Sequence, residues 1–308
     1  MVPPDNRQQD NTEPKVFTEL EDINLKPEDR EVLLAIFQGL DDFNLGFDLN
    51  VLGILDDEEA MPDQLEALKE PLGETLTARL FSLTNSTYYG GLSSGKITRF
   101  IDVITHLGTE SVKIMALFLS LLSLARNDQQ RMIFARNFAT SKLSENLAGQ
   151  FDLKRSAKNT VTLGGLFVEI GRIIMLIHAE NRGIELAGEF IETHYPLVGA
   201  VLIDELALPR ELREIVYHPH LTYVKKGTPA LSAIVDLAHA AVEKSFRRHG
   251  RLAIQSPMPD PEGLLYTATF GSILSEQFDA VGLGQFLKII PAEMTDREKR
   301  YYEKHKAS

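Results

Sequence analysis

The sequence predicts an all-α fold, and three observations carry that expectation. Apolar residues recur at helical spacing through most of the chain. No segment alternates apolar and polar residues as a half-buried strand does, and glycines and prolines fall where helices begin and end. Residues 1 to 15 are polar and read as a disordered tail. The first helix opens in "KPEDREVLLAIFQG", Lys26 to Gly39, with Pro27 where a first turn tolerates a missing N–H and Gly39 as the stop. A second helical stretch runs from about Gln64 to Leu83, and Pro71 and Gly73 should kink or divide it. Ile97 to His106 is a short helix closed by Leu107 and Gly108. Glu110 to Arg126 is a longer one, apolar on nearly every side and therefore expected in the middle of a bundle.

The second half continues in the same style. Helices are expected at about Gln129 to Gln150, Ser156 to His178 with a break at Gly164 and Gly165, Gly183 to Thr193, and Tyr195 to Leu206. Two more follow, Pro209 to His218 and Pro229 to His249, each opening on a proline. "SPMPDPEG", Ser256 to Gly263, reads as a linker or extended loop. Beyond it lie an amphipathic stretch, Ser272 to Phe286, and a charged terminal helix in which Thr295 and Glu298 have capping-box spacing. The division that results is a tail over 1–15, one helical domain over 16–250, and a C-terminal extension over 251–308.

Composition excludes several function classes. A formal charge of −12 over 308 residues opposes non-specific nucleic-acid binding, which needs a basic face; Arg247, Arg248, His249 and Arg251, like Lys225 and Lys226, are small local patches. There is no cysteine, so disulfides, zinc knuckles and thiol nucleophiles fall away together. The polar start shows no signal-peptide pattern, and the longest apolar run, Ile114 to Ala125, is well short of the ~20 residues of a membrane span. A cytoplasmic location and no membrane association are expected.

Two motifs look like chemistry and fail on spacing. "GGLSSGKIT", Gly90 to Thr98, has the Gly90, Gly95 and Lys96 of a phosphate-binding loop, but Ile97 stands where the magnesium-holding hydroxyl belongs, and the preceding segment reads as a helix rather than a strand. The acidic stretch from Asp41 to Glu59 suggests a calcium loop. Counted from Asp42, its glycine falls one place early and apolar residues fill the later ligand positions.

A third set, the histidines and acids Glu169, His194, His218, His220, Asp236 and His239, gains meaning from its surroundings. "LTARLFSLTNSTYYG", "ITRFIDVITHLG", "LFVEIGRI" and "YPLVGAVLIDELALPRELREIVYHPH" follow one another in an order that resembles the HDOD family, an all-helical branch of the HD phosphohydrolase superfamily. The resemblance covers roughly residues 60 to 250. It implies an HD-like helical bundle with an N-terminal helical subdomain, a bacterial source, and a role as a signalling or output module.

HD enzymes hold divalent metals with a histidine, a His-Asp pair and a later aspartate, which acidify a water and neutralise phosphate charge. Carried onto this chain, the first histidine falls near Asn137 and the His-Asp pair on Val168 and Glu169. A further histidine falls on Tyr195, with His194 one place away, where a helix turns a side chain by ~100°. His218 and Asp236 keep donor chemistry. Where the enzymes read His-Asp-x-Gly-Lys, this chain reads Val-Glu-x-Gly-Arg, which deletes a metal donor and keeps both charges.

Two readings of Glu169 stay open: half of a buried pair with Arg172, three positions on, or a ligand in a remodelled site. His218, at a helix end, and Asp236, on the polar side of its helix, have bland readings as a capping and a solvated residue. The candidate vestigial pocket is thus Asn137, Glu169, Arg172, His194, Tyr195, His218 and Asp236, with no catalytic residue, no metal and no cofactor assigned. The expected function is a non-catalytic regulatory module that binds a signalling protein partner or a small effector, with a homo-oligomer left open. The alternative is a metal-dependent phosphohydrolase or nucleotide phosphodiesterase using Glu169, His218 and Asp236.

Overall fold

Proline and glycine set the boundaries of the N-terminal third. In the computed structural model, which describes residues 25–40, 49–57, 59–86, 96–151, 153–206, 208–217, 230–257 and 270–292, Pro27 opens α1 (Pro27–Gln38). Leu33, Ile36 and Phe37 form the buried face of α1. A 3₁₀ turn (Leu49–Asp56) precedes α2 (Pro62–Ala67), α3 (Lys69–Leu72) and α4 (Glu74–Thr84). Gly73, at φ 80°, makes the division between α3 and α4, a backbone region closed to most side chains. Gly108, at φ 86°, likewise separates α5 (Phe100–Leu107) from α6 (Thr109–Ser123). Val112 and every residue from Ile114 to Leu122 are buried, so the helix that is apolar on all sides does lie inside.

After α6 come the long α7 (Asp128–Ala148), α8 (Arg155–Phe167), α9 (Ile170–Arg182), α10 (Gly188–Glu205), α11 (Arg210–Tyr217) and α12 (Leu231–His249). Helix α7 is flanked by α8 and α12, while α9 packs on α10. Asn127 caps α7, its side-chain oxygen accepting from the Gln130 N–H at 2.9 Å. Asn85 closes the chain between α4 and α5: its amide donates to the Phe81 and Ile97 carbonyls and accepts from the Ile97 N–H.

Three expectations change. The helix expected over 156–178 runs unbroken through Gly164 and Gly165 and breaks instead at Val168 and Glu169. The two glycines serve close approach: a Cβ on Gly165 would stand 2.5 Å from Ser141 Cα on α7, and one on Gly164 2.8 Å from the Ile215 side chain on α11. The segments 183–193 and 195–206 do not form two helices. One helix, α10, starts at Gly188 and continues through Pro196, which removes one backbone hydrogen bond without ending it.

Two short strands also appear in a region read as linker and helix. β1 (Leu252–Pro257) and β2 (Leu287–Ala292) pair in parallel, from Leu252 opposite Leu287 to Pro257 opposite Ala292, with α13 (Phe270–Ala280) between them in sequence. The strands are six residues each, and of their residues whose burial is described only Leu252 is buried, so no apolar and polar alternation marks them in the sequence. Helix α13 also packs on α4, and the Phe278 ring meets Phe138 of α7 edge to face at 5.1 Å.

Among the described residues, one helical stretch, Arg155–Arg182, has the length and apolar content of a membrane span. It comprises α8 and α9, and 78% of its most apolar window is buried inside the protein. The 1–15 tail, residues Gly90 to Gly95 of the glycine-rich motif, residues 41–48 and 58 of the acidic stretch, Lys225 and Lys226, and the Thr295 and Glu298 pair lie outside the described residues.

Candidate functional site

The crossing of α9 over α10 depends on two glycines. A Cβ on Gly171 would stand 2.5 Å from the Gly199 nitrogen and closer still to the Tyr195 carbonyl oxygen, so only hydrogen fits. This contact places Tyr195 beside the start of α9, where the Arg172 guanidinium lies 4.5 Å from the centre of its ring.

Glu169 sits in the break between α8 and α9, with non-helical backbone angles (φ −113°, ψ 20°), and is 2% exposed. Arg136, reaching across from α7, donates from Nε to Oε2 at 2.8 Å and from Nη2 to Oε1 at 2.6 Å. The Arg172 Nε makes a second ion pair with Oε1 at 3.0 Å, and His239 Nε2 of α12 lies 3.6 Å from Oε2. On its outer side Arg172 donates from Nη2 to Glu192 Oε2 at 2.8 Å and from Nη1 to the other oxygen of that carboxylate. The Glu192 side chain is 60% exposed. The four charges therefore run in a chain from the interior to the surface.

Burial alone raises the Glu169 carboxyl. The neighbouring His239 and the charges of Arg136 and Arg172 outweigh it and hold the group at about 2. Burial lowers Arg172, but the bond to Glu192 and the Glu169 and Glu192 charges raise it above its ordinary value. Tyr195 is pushed up to about 12, first by burial and then by the Glu169 charge. All three stay in their usual ionisation states near neutral pH.

The candidate residues divide. Glu169, Arg172 and Tyr195 come together as described. Asn137 follows Arg136 on α7 and is fully buried, and neither atom of its amide has a hydrogen-bond partner among the described residues. His194 points elsewhere: its Nε2 lies 3.6 Å from Asp29 of α1 and its ring 4.7 Å from Phe190. Asp236 is buried rather than solvated, as is His239, because α12 is covered by both α7 and α8. His218 lies outside the described residues.

A divalent metal does not fit the Glu169 position. Both oxygens of its carboxylate are engaged by guanidinium groups whose positive charge would oppose a cation. Among the described residues, no three histidine or acidic side chains form a group able to hold a metal. Arg136 and Glu192 are the site residues that sequence reasoning missed. Arg136 left one signal: an arginine within "IFARNFA" calls for a partner, since arginine is rarely buried unpaired.

Comparison with known proteins bears on the same region. The HDOD domain family model matches residues 51–221. Among solved structures, the chain is similar to a protein from Shewanella amazonensis SB2B provisionally described as a metal-dependent phosphohydrolase. Identity is 17%, TM-score 0.53, and the match covers 83% of this chain and all of the other. It is also similar to an HDOD domain protein with unknown function from Geobacter sulfurreducens, at 16% identity and TM-score 0.49, covering 81% of this chain and 89% of that one. A protein from Marinobacter aquaeolei VT8, provisionally described as a signal transduction protein, matches at 14% identity and TM-score 0.47 over 85% of this chain and 67% of its own. The first of these is a likeness of fold. No curated protein matches.

Proposed function

The chain belongs to the HDOD family, and from that premise we propose that it is a non-catalytic regulatory module of bacterial signalling, acting in the cytoplasm by binding a partner protein or a small effector. The observation that carries this reading is the bidentate Arg136–Glu169 pair. In the enzymes that the sequence resembles, the corresponding carboxylate holds a metal. Here an arginine supplies the positive charge, so the helices stay joined across the same point without a cation to activate water. The exposed end of the charge chain, Glu192 paired with Arg172, lies where a bound partner can reach it.

Metal analysis and turnover test this reading together. The full chain, produced with manganese and iron supplied, is expected to carry no stoichiometric metal and to leave bis(p-nitrophenyl) phosphate uncleaved. One metal per chain, lost on His218→Ala, together with phosphodiester cleavage, would replace the regulatory reading with the phosphohydrolase one. Chromatographic size at two protein concentrations decides whether the module self-associates.

A further inference from the structure

Away from Glu169, a cavity of about 440 Å³ opens where α5, α6 and the end of α4 meet α7 and α8. Its size falls within the range of small-molecule sites, and it lies at a junction between the N-terminal helices and the HD-like half, the kind of place such sites favour. One part of its wall is apolar, formed by Leu83, Leu107, Met115, Leu163 and Leu166. Another part is polar and carries more positive than negative charge: Lys142 and Arg155 stand with a single carboxylate, Glu145. Lys142 is only 5% exposed, and its Nζ holds Glu145 at 3.0 Å, which offsets that carboxylate. Arg155 is exposed on the rim.

Two further features belong to a binding wall more than to a packed core. Ser141, next to Lys142 on α7, is fully buried, and its hydroxyl has no hydrogen-bond partner among the described residues. An unmet buried hydroxyl is unfavourable unless a water or a ligand atom answers it. His106, at the end of α5, has its Nδ1 2.8 Å from the Asp102 carbonyl, which can only accept, so the proton sits on Nδ1 and Nε2 is the nitrogen left for other partners.

We propose that this cavity binds a small organic anion, its charged end held by Arg155 and Lys142 and its apolar body lying against Leu107, Met115 and Leu166. Such a ligand touches helices from both halves of the fold and fixes one arrangement of the two, which is how a small effector would act on a module without an active site. The inference rests on the regulatory reading only for that meaning. Binding is measured directly, so its failure leaves the metal test of that reading untouched.

The probe is 1-anilinonaphthalene-8-sulfonate, compared with uncharged N-phenyl-1-naphthylamine, titrated by fluorescence into the natively folded full chain. The sulfonate is expected to saturate at one per chain, and Arg155→Ala, an exposed change that leaves the core intact, to weaken it about tenfold while shifting the uncharged probe less than twofold. Asn159→Trp, which fills the cavity from α8, is expected to abolish binding of both. An absence of saturable sulfonate binding overturns the proposal, as does a sulfonate affinity that Arg155→Ala leaves within twofold of the parent.

Discussion

Arg136 and Glu169, 33 positions apart in sequence, meet through two parallel hydrogen bonds of 2.8 and 2.6 Å at a point where the carboxylate is 2% exposed. This contact ties α7 to the break between α8 and α9, and Arg172 and Glu192 extend it to the surface. Its consequences are measurable in stability as well as in metal content.

Removing one partner leaves a charge buried without its strongest contact. Arg136→Met is expected to cost about 3 kcal/mol in urea unfolding, the lower end of the range for a broken buried pair, because Arg172 stays with Glu169. The double variant Arg136→Met and Glu169→Leu should recover most of that loss, since a well-packed apolar pair is often as stable as the ion pair it replaces. A double variant as unstable as the single one would show that the pair is not the source of the effect.

Acid unfolding should carry the mark of Glu169. Its folded-state value, about 2, lies below the ordinary 4.5, so its contribution is fully present above pH 4.5 and is lost as pH falls towards 2. The contribution is on the order of 3 kcal/mol. Urea midpoints measured from pH 6 down to pH 2.5 should fall steeply for the parent and less steeply for Glu169→Gln. Parallel slopes would sink the assignment.

Gly171→Ala tests the helix crossing. The change favours an isolated helix by about 1 kcal/mol, yet here the new methyl group would collide with the backbone of α10 at Tyr195 and Gly199. Net destabilisation of about 3 kcal/mol is expected, read as a drop in thermal midpoint. Gly188→Ala, at a position where a Cβ meets nothing within 4 Å, serves as the neutral control.

Asn85→Ala removes three backbone contacts at once, to the Phe81 carbonyl and to both polar groups of Ile97. A loss of about 2 kcal/mol is expected, with faster hydrogen exchange at the Ile97 amide while amides in α7 keep their protection. Unchanged exchange at Ile97 would argue that another contact closes this loop.

Phe278 joins the C-terminal extension to the body. It is fully buried against Phe138, so Phe278→Ala should cost about 3 to 5 kcal/mol. Because α13 also packs on α4, the parent should unfold in one transition that includes the extension. A separate early transition in the parent would show that the extension is an independent unit.

The all-α architecture was legible in the sequence because helical periodicity, Pro27, Gly73 and Gly108 act locally, and most helices lie close to where those signals put them. The valine and glutamate at 168 and 169 were legible too, but not that the helix breaks at that point. Glycines at 164 and 165 misled: they look like breaks in one dimension but serve contacts with Ser141 and Ile215 in three. Asp236 and His239 looked like a polar, solvent-facing side because a helical wheel does not report that α7 and α8 cover α12 from two directions.

By itself, the sequence determined the class of fold and the order of its helices, because backbone preference resides in single residues and their near neighbours. Only the tertiary structure decided what Glu169 is paired with. Its main partner comes from another helix, and whether a buried charge is a ligand or a strut depends on which opposite charge reaches it first, a question of distance through space that spacing along the chain does not encode.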